Sequence, residues 1–416
     1  MKGSSFLELL FFALYSNFRL YFRKKAMSVF DNTQVAFQAK TDAQLDRAYF
    51  LFKMIASAPM VKVGTLAAQF ALKSNLPVEG LIRATVFDHF CSGTSAEESL
   101  PVINQLAESN VFSILDYSVE GAKSEINLDT CLSNTIKTLA LSKTHLHIPF
   151  SVFKPTGFGD FDLYEKVSNK TPLNEEEKAA WERIRKRFHE CCAYASDAGV
   201  QILIDAEESW IQPAVNLLVE EMMATYNKER VVVYTTAQMY LKDKFAYLQE
   251  LIARAEANGF YVGVKLVRGA YMEKEAARAE ARGYENPICS SKEATDENFN
   301  NALRFLIDHV ARCSIYCGSH NEASTRLFMD LIQAKQLPKN HPHLWFGQLY
   351  GMSDHITFNL AEIGYNTSKY LPFGPVKDVL PYLIRRAEEN TSVAGQTHRE
   401  LALIKKERER RRLTDQ

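Results

Sequence analysis

Two arginines stand side by side at positions 385 and 386 of the stretch "VLPYLIRRAEENTS", residues 379–392. Counted from Tyr382, Arg385, Arg386 and Glu389 lie three, four and seven residues on, so all four share one stripe of a helix. Arg385 and Glu389 can pair along that helix, steadying one guanidinium and leaving its other donors for a ligand. Two guanidinium forks at one place make a bidentate site for a carboxylate or a phosphate. The competing reading is a solvated ladder of ion pairs, worth ~0.2–0.5 kcal/mol per pair. It gives the aromatic Tyr382 no purpose.

The elements that must position this clamp are legible upstream. Eight short β-branched or aromatic runs follow one another: "FSILDYS" 112–118, "LHIPFSVFK" 146–154, "VQILIDAEE" 200–208, "RVVVYTTAQ" 230–238, "YVGVKLVRG" 261–269, "CSIYCGSHN" 313–321, "HLWFGQLYG" 343–351 and "SKYLPFGP" 368–375. Few of them alternate cleanly, which suits strands buried on both faces of a parallel sheet. Amphipathic helices lie between them, such as "DKFAYLQELIARAEANG" 243–259 with its terminal glycine as a stop. Eight strand–helix units predict a (βα)₈ barrel. The rival, a doubly wound sheet, requires an early dinucleotide glycine loop, and "GFGDF" at 157–161 has the wrong pattern for one. Chemistry in such a barrel gathers at the C-terminal ends of the strands. Those ends carry Asp116 and Glu120, Lys154, Asp205 with Glu207 and Glu208, Gln238, Lys265 with Arg268 and Tyr271, His320 with Asn321, Gln348, and Tyr370. Each alone has a bland explanation as a cap, a satisfied core residue or a solvated charge. Eight such ends converging on one mouth point to a site.

The chain of 416 residues has a net charge of −1, which gives no global reason to expect nucleic acid. Its seven cysteines form no CxxC pair and are odd in number, a pattern of a reducing compartment with neither a disulfide framework nor a thiolate metal site. The histidine pairs "HLH" 145–147 and "HPH" 341–343 precede or open strands, at the wrong end of a barrel for a metal centre, so no metal is expected. Residues 27–110 read as a helical preface of short helices, the last one opening at Ser95 with Glu98 in a capping-box spacing. The barrel spans 111–395. The tail "ALIKKERERRRLTDQ" mixes bases and acids and reads as a solvated helix over 396–416. Residues 1–26 hold a largely apolar run at 6–15 followed by basic residues, too short to span a bilayer. They fit either an extension upstream of a start at Met27 or a membrane-proximal helix.

The strings "ILDYSVEG", "FKPTGFG", "LIDAEES", "VKLVRGAYMEKE", "GSHNE", "QLYGMSDH", "YLPFGP" and "YLIRRAEEN", in this order and spacing from about residue 80 to 395, together resemble the proline dehydrogenase family. The likeness is to the compact monofunctional bacterial form, since the chain has no room for an upstream DNA-binding domain or a downstream aldehyde dehydrogenase. It implies a distorted barrel that holds FAD and oxidises L-proline to Δ1-pyrroline-5-carboxylate by hydride transfer to flavin N5. Electrons would pass to a membrane quinone, with peripheral association at the cytoplasmic face of the bacterial inner membrane. By the same resemblance Arg385 and Arg386, with Lys154, would grip the substrate carboxylate while Glu389 orients Arg385. Tyr271, Leu349, Tyr370 and Tyr382 would wall the ring, and Asp205 would support it from beneath. Gln238, Lys265, Arg268, His320, Asn321 and Gln348 would serve the flavin. Lysine at 265 and arginine at 268 reverse the order frequent in the family, which keeps the charge and moves the fork. A tyrosine at 370 crowds a ring hydroxyl and so favours proline over hydroxyproline. The rival chemistry is a Schiff-base lyase using Lys154 or Lys265 on a small anionic substrate.

Overall fold

The computed structural model describes residues 28–73, 79–117, 124–392 and 394–414. The expectations placed on residues 1–26 and on Glu120 lie outside them. Eight parallel strands close into a barrel in sequence order: β1 (Val111–Tyr117), β2 (Phe150–Phe153), β3 (Gln201–Ile204), β4 (Val233–Gln238), β5 (Val262–Val267), β6 (Cys313–Gly318), β7 (Leu344–Leu349) and β8 (Thr367–Phe373). The longest seam joins the first strand to the last, in register from Val111 opposite Thr367 to Tyr117 opposite Phe373. The expected TIM-like barrel with a helical preface is what the chain forms.

The barrel interior explains why chemistry is confined to one end. Phe150 opens β2 and meets Tyr234, Tyr316 and Trp345 edge-on at ring distances of 5.7, 5.5 and 5.0 Å. These rings fill the space near the strand starts, leaving the polar groups for the far end. Two glycines make room for them. A Cβ at Gly347 would lie 1.8 Å from the Tyr316 hydroxyl, and one at Gly263 would lie 2.5 Å from the Tyr234 ring.

Helices cover the outside. The helix predicted before Gly259 runs Lys244–Asn258, and Gly259 ends it at φ 70°, where a side chain would be strained. After β8, the helix Val376–Ser392 lays Val379, Tyr382 and Leu383 against Leu51, Ile55, Ile82, Phe87 and Phe90 of the preface. The preface therefore clamps the arginine-bearing helix.

Two local expectations meet a different outcome. The Ser95 hydroxyl does accept the Glu98 N–H at 3.2 Å, but Glu98 turns its carboxylate to the Thr94 N–H (2.7 Å) and Thr94 hydroxyl (2.8 Å), and the helix begins later, at Leu100. Thr94 offers two donors where the Ser95 backbone offers one. The C-terminal segment is a packed helix, Ala394–Thr414, rather than a solvated one. Leu403 and Ile404 join Phe37, Leu45, Ala48 and Phe52, while Glu407 is fully buried under Arg410 and Arg411. Its bases find acids on the preface, Arg408 with Asp46 and Arg411 with Asp42. Among the described residues no helix is long and apolar enough to cross a membrane.

Candidate active site at the barrel mouth

Lys265, Asp205 and Tyr370 meet at the centre of the mouth. The Lys265 ammonium donates to Asp205 Oδ1 and to the Tyr370 hydroxyl at 2.9 Å, and that hydroxyl donates to the same carboxylate oxygen at 3.0 Å. The ammonium also lies 4.6 Å from the Tyr370 ring centre. Local structure dictates this. Lys265 and Tyr370 are inward positions of β5 and β8, and Asp205 is the first residue beyond β3. Burial, then the neighbouring Asp205 charge, raises the Tyr370 hydroxyl well above the usual phenol range, so it remains a proton donor.

Around this triangle the strand ends pair with one another. Lys154 lies 3.4 Å from Asp116. Glu207 accepts the Thr156 N–H (2.9 Å) and hydroxyl (2.7 Å), and the Gln238 amide donates to the Glu207 carbonyl at 2.6 Å while accepting the Ala270 N–H at 3.3 Å. Burial pushes the Glu207 carboxyl up to about 7 despite the Thr156 bonds. A folded-state value above the unfolded one, ~4.3, means that its contribution to stability is complete below that pH and lost as pH rises through about 7. Glu207→Gln is expected to flatten the decline of stability across this window, by no more than about 1.4 kcal/mol per pH unit. Urea unfolding at several pH values checks this; parallel profiles for the two proteins would show a Glu207 that ionises as freely as in the unfolded chain.

Arg268 binds Asp296, Ser319 and Ser324, the last two at 2.9 Å, so its fork is held between β5 and β6 beside the start of the helix Glu322–Ala334. Asn321 caps that helix, accepting the Ser324 N–H at 3.0 Å. His320 places Nδ1 2.9 Å from the Ser353 hydroxyl. Burial first, then Lys369 and Arg386, pull His320 down to about 3, so it is a neutral ring. Arg386 is thus near enough to His320 for its charge to be felt there. Arg386 is 8% exposed, with its guanidinium 5.3 Å from the Tyr382 ring centre, and Arg385 is half-buried one position earlier. Leu349 packs against both the interior cluster that holds Tyr370 and the cluster that holds Tyr382. Tyr271 is buried and starts the helix Met272–Arg282. The Glu389 side chain lies outside the described residues.

Gln348 is not brought into the mouth. It shares the outer face of β7 with Phe346, bonding the Ser319 carbonyl (3.0 Å) and the Thr357 hydroxyl (2.8 Å). Two residues were missed in the sequence. Lys369, 1% exposed, braces the outer wall through Asp354 (2.8 Å) and the Leu349 carbonyl (3.3 Å). Thr236 sits level with Lys265 on β4, and its buried hydroxyl has no hydrogen-bond partner among the described residues. Its signal was the two-residue period that sets it on the face of Tyr234 and Gln238.

The family model described as "Proline dehydrogenase" matches residues 99–399. Among curated relatives, the carbapenem antibiotics biosynthesis protein CarD of Pectobacterium carotovorum subsp. carotovorum is 36% identical over 363 residues, covering 86% of this chain and 94% of that protein. Mitochondrial proline dehydrogenase 1 of Arabidopsis thaliana is 29% identical over 422 residues, covering 90% and 85%; that of Caenorhabditis elegans is 40% identical over 244 residues, covering 58% and 40%. Proline utilization A from Bdellovibrio bacteriovorus aligns with a TM-score of 0.66 at 20% identity over 86% of this chain, a likeness of fold, and this chain spans 38% of that one. Mitochondrial and bacterial proteins thus match alike, and none of them singles out a subtype. With the match spanning the barrel and its arginine helix, the chain belongs to the proline dehydrogenase family.

Proposed function

We propose that this chain oxidises L-proline to Δ1-pyrroline-5-carboxylate with FAD held at the barrel mouth and electrons leaving to a membrane quinone. The proposal includes the compact bacterial form, working peripherally at the cytoplasmic face of the inner membrane. The observation that carries the chemistry is the Lys265–Asp205–Tyr370 triangle, with Leu349 packed both on the cluster that holds Tyr370 and on the cluster that holds Tyr382 of the arginine helix. It joins a cationic grip for a carboxylate to a buried aromatic wall for a small ring.

The residues present suit a flavin. The orphaned Thr236 hydroxyl, the Gln238 amide and the Lys265 ammonium offer polar contacts to the edges of a heterocycle. Arg268 beside the start of the helix Glu322–Ala334 suits a pyrophosphate. FAD, when bound, supplies the two-electron acceptor. The protein's own work is binding and orientation. Arg385, Arg386 and Lys154 fix the proline carboxylate, and their positive field favours the neutral amine, since a nearby cation disfavours a second one. Loss of the amine proton and of a hydride from the adjacent carbon then leaves an imine. Tyr370, Tyr271, Tyr382 and Leu349 hold the ring and exclude water. Asp205 and Lys265 fix the Tyr370 hydroxyl.

The first measurement is the visible spectrum of the FAD-supplied protein, with and without L-proline in the absence of oxygen. Flavin bands that bleach with proline support the reading. Bands that persist break the substrate assignment, and a protein that stays colourless favours the Schiff-base lyase, which borohydride trapping would reveal. The relative named for carbapenem biosynthesis makes a panel of cyclic imino acids worth running. Within that panel L-proline is expected to exceed trans-4-hydroxy-L-proline in kcat/KM, because the ring hydroxyl meets the buried Tyr370. Tyr370→Ser should shift the ratio of the two kcat/KM values toward hydroxyproline by roughly 5-fold or more, from the ~1–3 kcal/mol attached to an unpartnered polar group. A ratio that does not move places the discrimination elsewhere.

A further inference from the structure

The C-terminal helix Ala394–Thr414 reaches the loop after β7. Glu400, 3% exposed, accepts the backbone N–H of Ser353. Ser353 sits at φ 52°, ψ 40°, a left-handed conformation that a residue with a Cβ keeps only under outside constraint. Its hydroxyl lies 2.9 Å from His320 Nδ1, while the Leu349 N–H approaches His320 Nε2 at 3.5 Å. With Nε2 accepting, Nδ1 carries the proton and donates to Ser353 Oγ, a tautomer assigned from these partners. The brace continues sideways. His355 lies 3.8 Å from Glu400 and 3.1 Å from Glu322, and Glu322 also takes Arg399 at 2.8 Å. Consecutive residues of one helix, Arg399 and Glu400, thus hold the loops after β6 and β7.

We propose that Glu400 is a positioning residue for His320. By fixing the Ser353 backbone it sets the hydroxyl that fixes the imidazole's tautomer and orientation, which makes the C-terminal helix part of the site at the mouth. The consequence for catalysis rests on the flavin reading of that site; the geometric link does not.

The test uses the full chain with Glu400→Ala, Glu400→Gln, Ser353→Ala and Arg408→Gln. The ring-nitrogen ¹⁵N signals of His320 are followed without FAD, and the FAD dissociation constant and the kcat and KM for proline with it. Glu400→Ala is expected to move the His320 signals toward mixed tautomers, weaken FAD about tenfold and lower kcat more than it raises KM, since a small misplacement at a reacting site is costly. Glu400→Gln still presents an oxygen to the Ser353 N–H and should stay within a factor of ~3 of the parent. Arg408→Gln, elsewhere on the C-terminal helix, cuts the ion pair to Asp46 of the preface and should leave His320 unchanged. Parent-like His320 signals in Glu400→Ala would overturn the proposal, as would an equal disturbance by Arg408→Gln. Where Glu400→Ala fails to fold, Ser353→Ala decides: it removes the His320 partner while keeping the N–H that Glu400 holds, and unchanged His320 signals there overturn the link. A parent that binds no FAD breaks the functional reading alone, because the ring-nitrogen comparison still stands.

Discussion

Arg386→Met is expected to lower kcat/KM for L-proline by about 10²–10⁴-fold, mostly through KM, with unfolding little affected. Two charge-assisted bonds to a carboxylate, at ~1.5–3 kcal/mol each, are lost together. At 1.4 kcal/mol per factor of ten this gives the stated range. Arg386 is the buried member of the arginine pair, with Tyr382 beneath its guanidinium and His320 within its field. Under the proposed function its fork holds the substrate carboxylate. Arg386→Lys keeps the charge and loses the fork, so it should retain roughly a tenth of the activity. Steady-state kinetics beside a thermal melt separates binding from folding. A kcat/KM within threefold of the parent in Arg386→Met, with the fold intact, would leave the arginine helix as a structural cover for the barrel.

What the sequence made legible follows from periods and strand ends. Each predicted run overlaps one strand, because a strand buried on both faces shows as an uninterrupted apolar run whatever its partners. Lys265 and Tyr370 lie in the middle of their runs, so it was the family strings around them rather than their place in the strand that assigned them to the mouth. Their contact with each other and with Asp205 could not be read. The three are separated by 60, 105 and 165 residues, and only barrel closure makes them neighbours. Gln348 shows a signal overlooked. It alternates with Leu349, so a period of two already assigned them to opposite faces of β7. The C-terminal helix misled for a different reason: Leu403 and Ile404, with half-buried Leu401 beside them, are the large apolar residues it gives to the described core, and ion pairs to Asp42 and Asp46 add to the docking. Charge patterns along one segment do not reveal a partner some 370 residues away.

Lys265→Met is expected to lower the free energy of unfolding at neutral pH by about 3–5 kcal/mol, the range for removing one partner of a buried ion pair. The Asp205 and Lys265 side chains are 15% and 7% exposed, so water does little to replace the lost ammonium. Asp205 would keep one described partner, the Tyr370 hydroxyl, and Tyr370 would lose the cation beside its ring. The argument turns on the orphaned charge rather than on the lost bond, and a double-mutant cycle tells these apart. Asp205→Asn alone strands the ammonium and should also destabilise. Lys265→Met with Asp205→Asn removes both charges and should cost less than the sum of the single changes by about 1–3 kcal/mol. Urea unfolding of the four proteins supplies the cycle. Additive losses would mean that solvent reaches the pair and screens it, and Tyr370 would then owe its position to packing against Ile114, Phe150 and Leu203 alone. Non-additive losses, accompanied by a raised KM for proline in both single variants, would tie the stability of the triangle to its grip on the substrate ring.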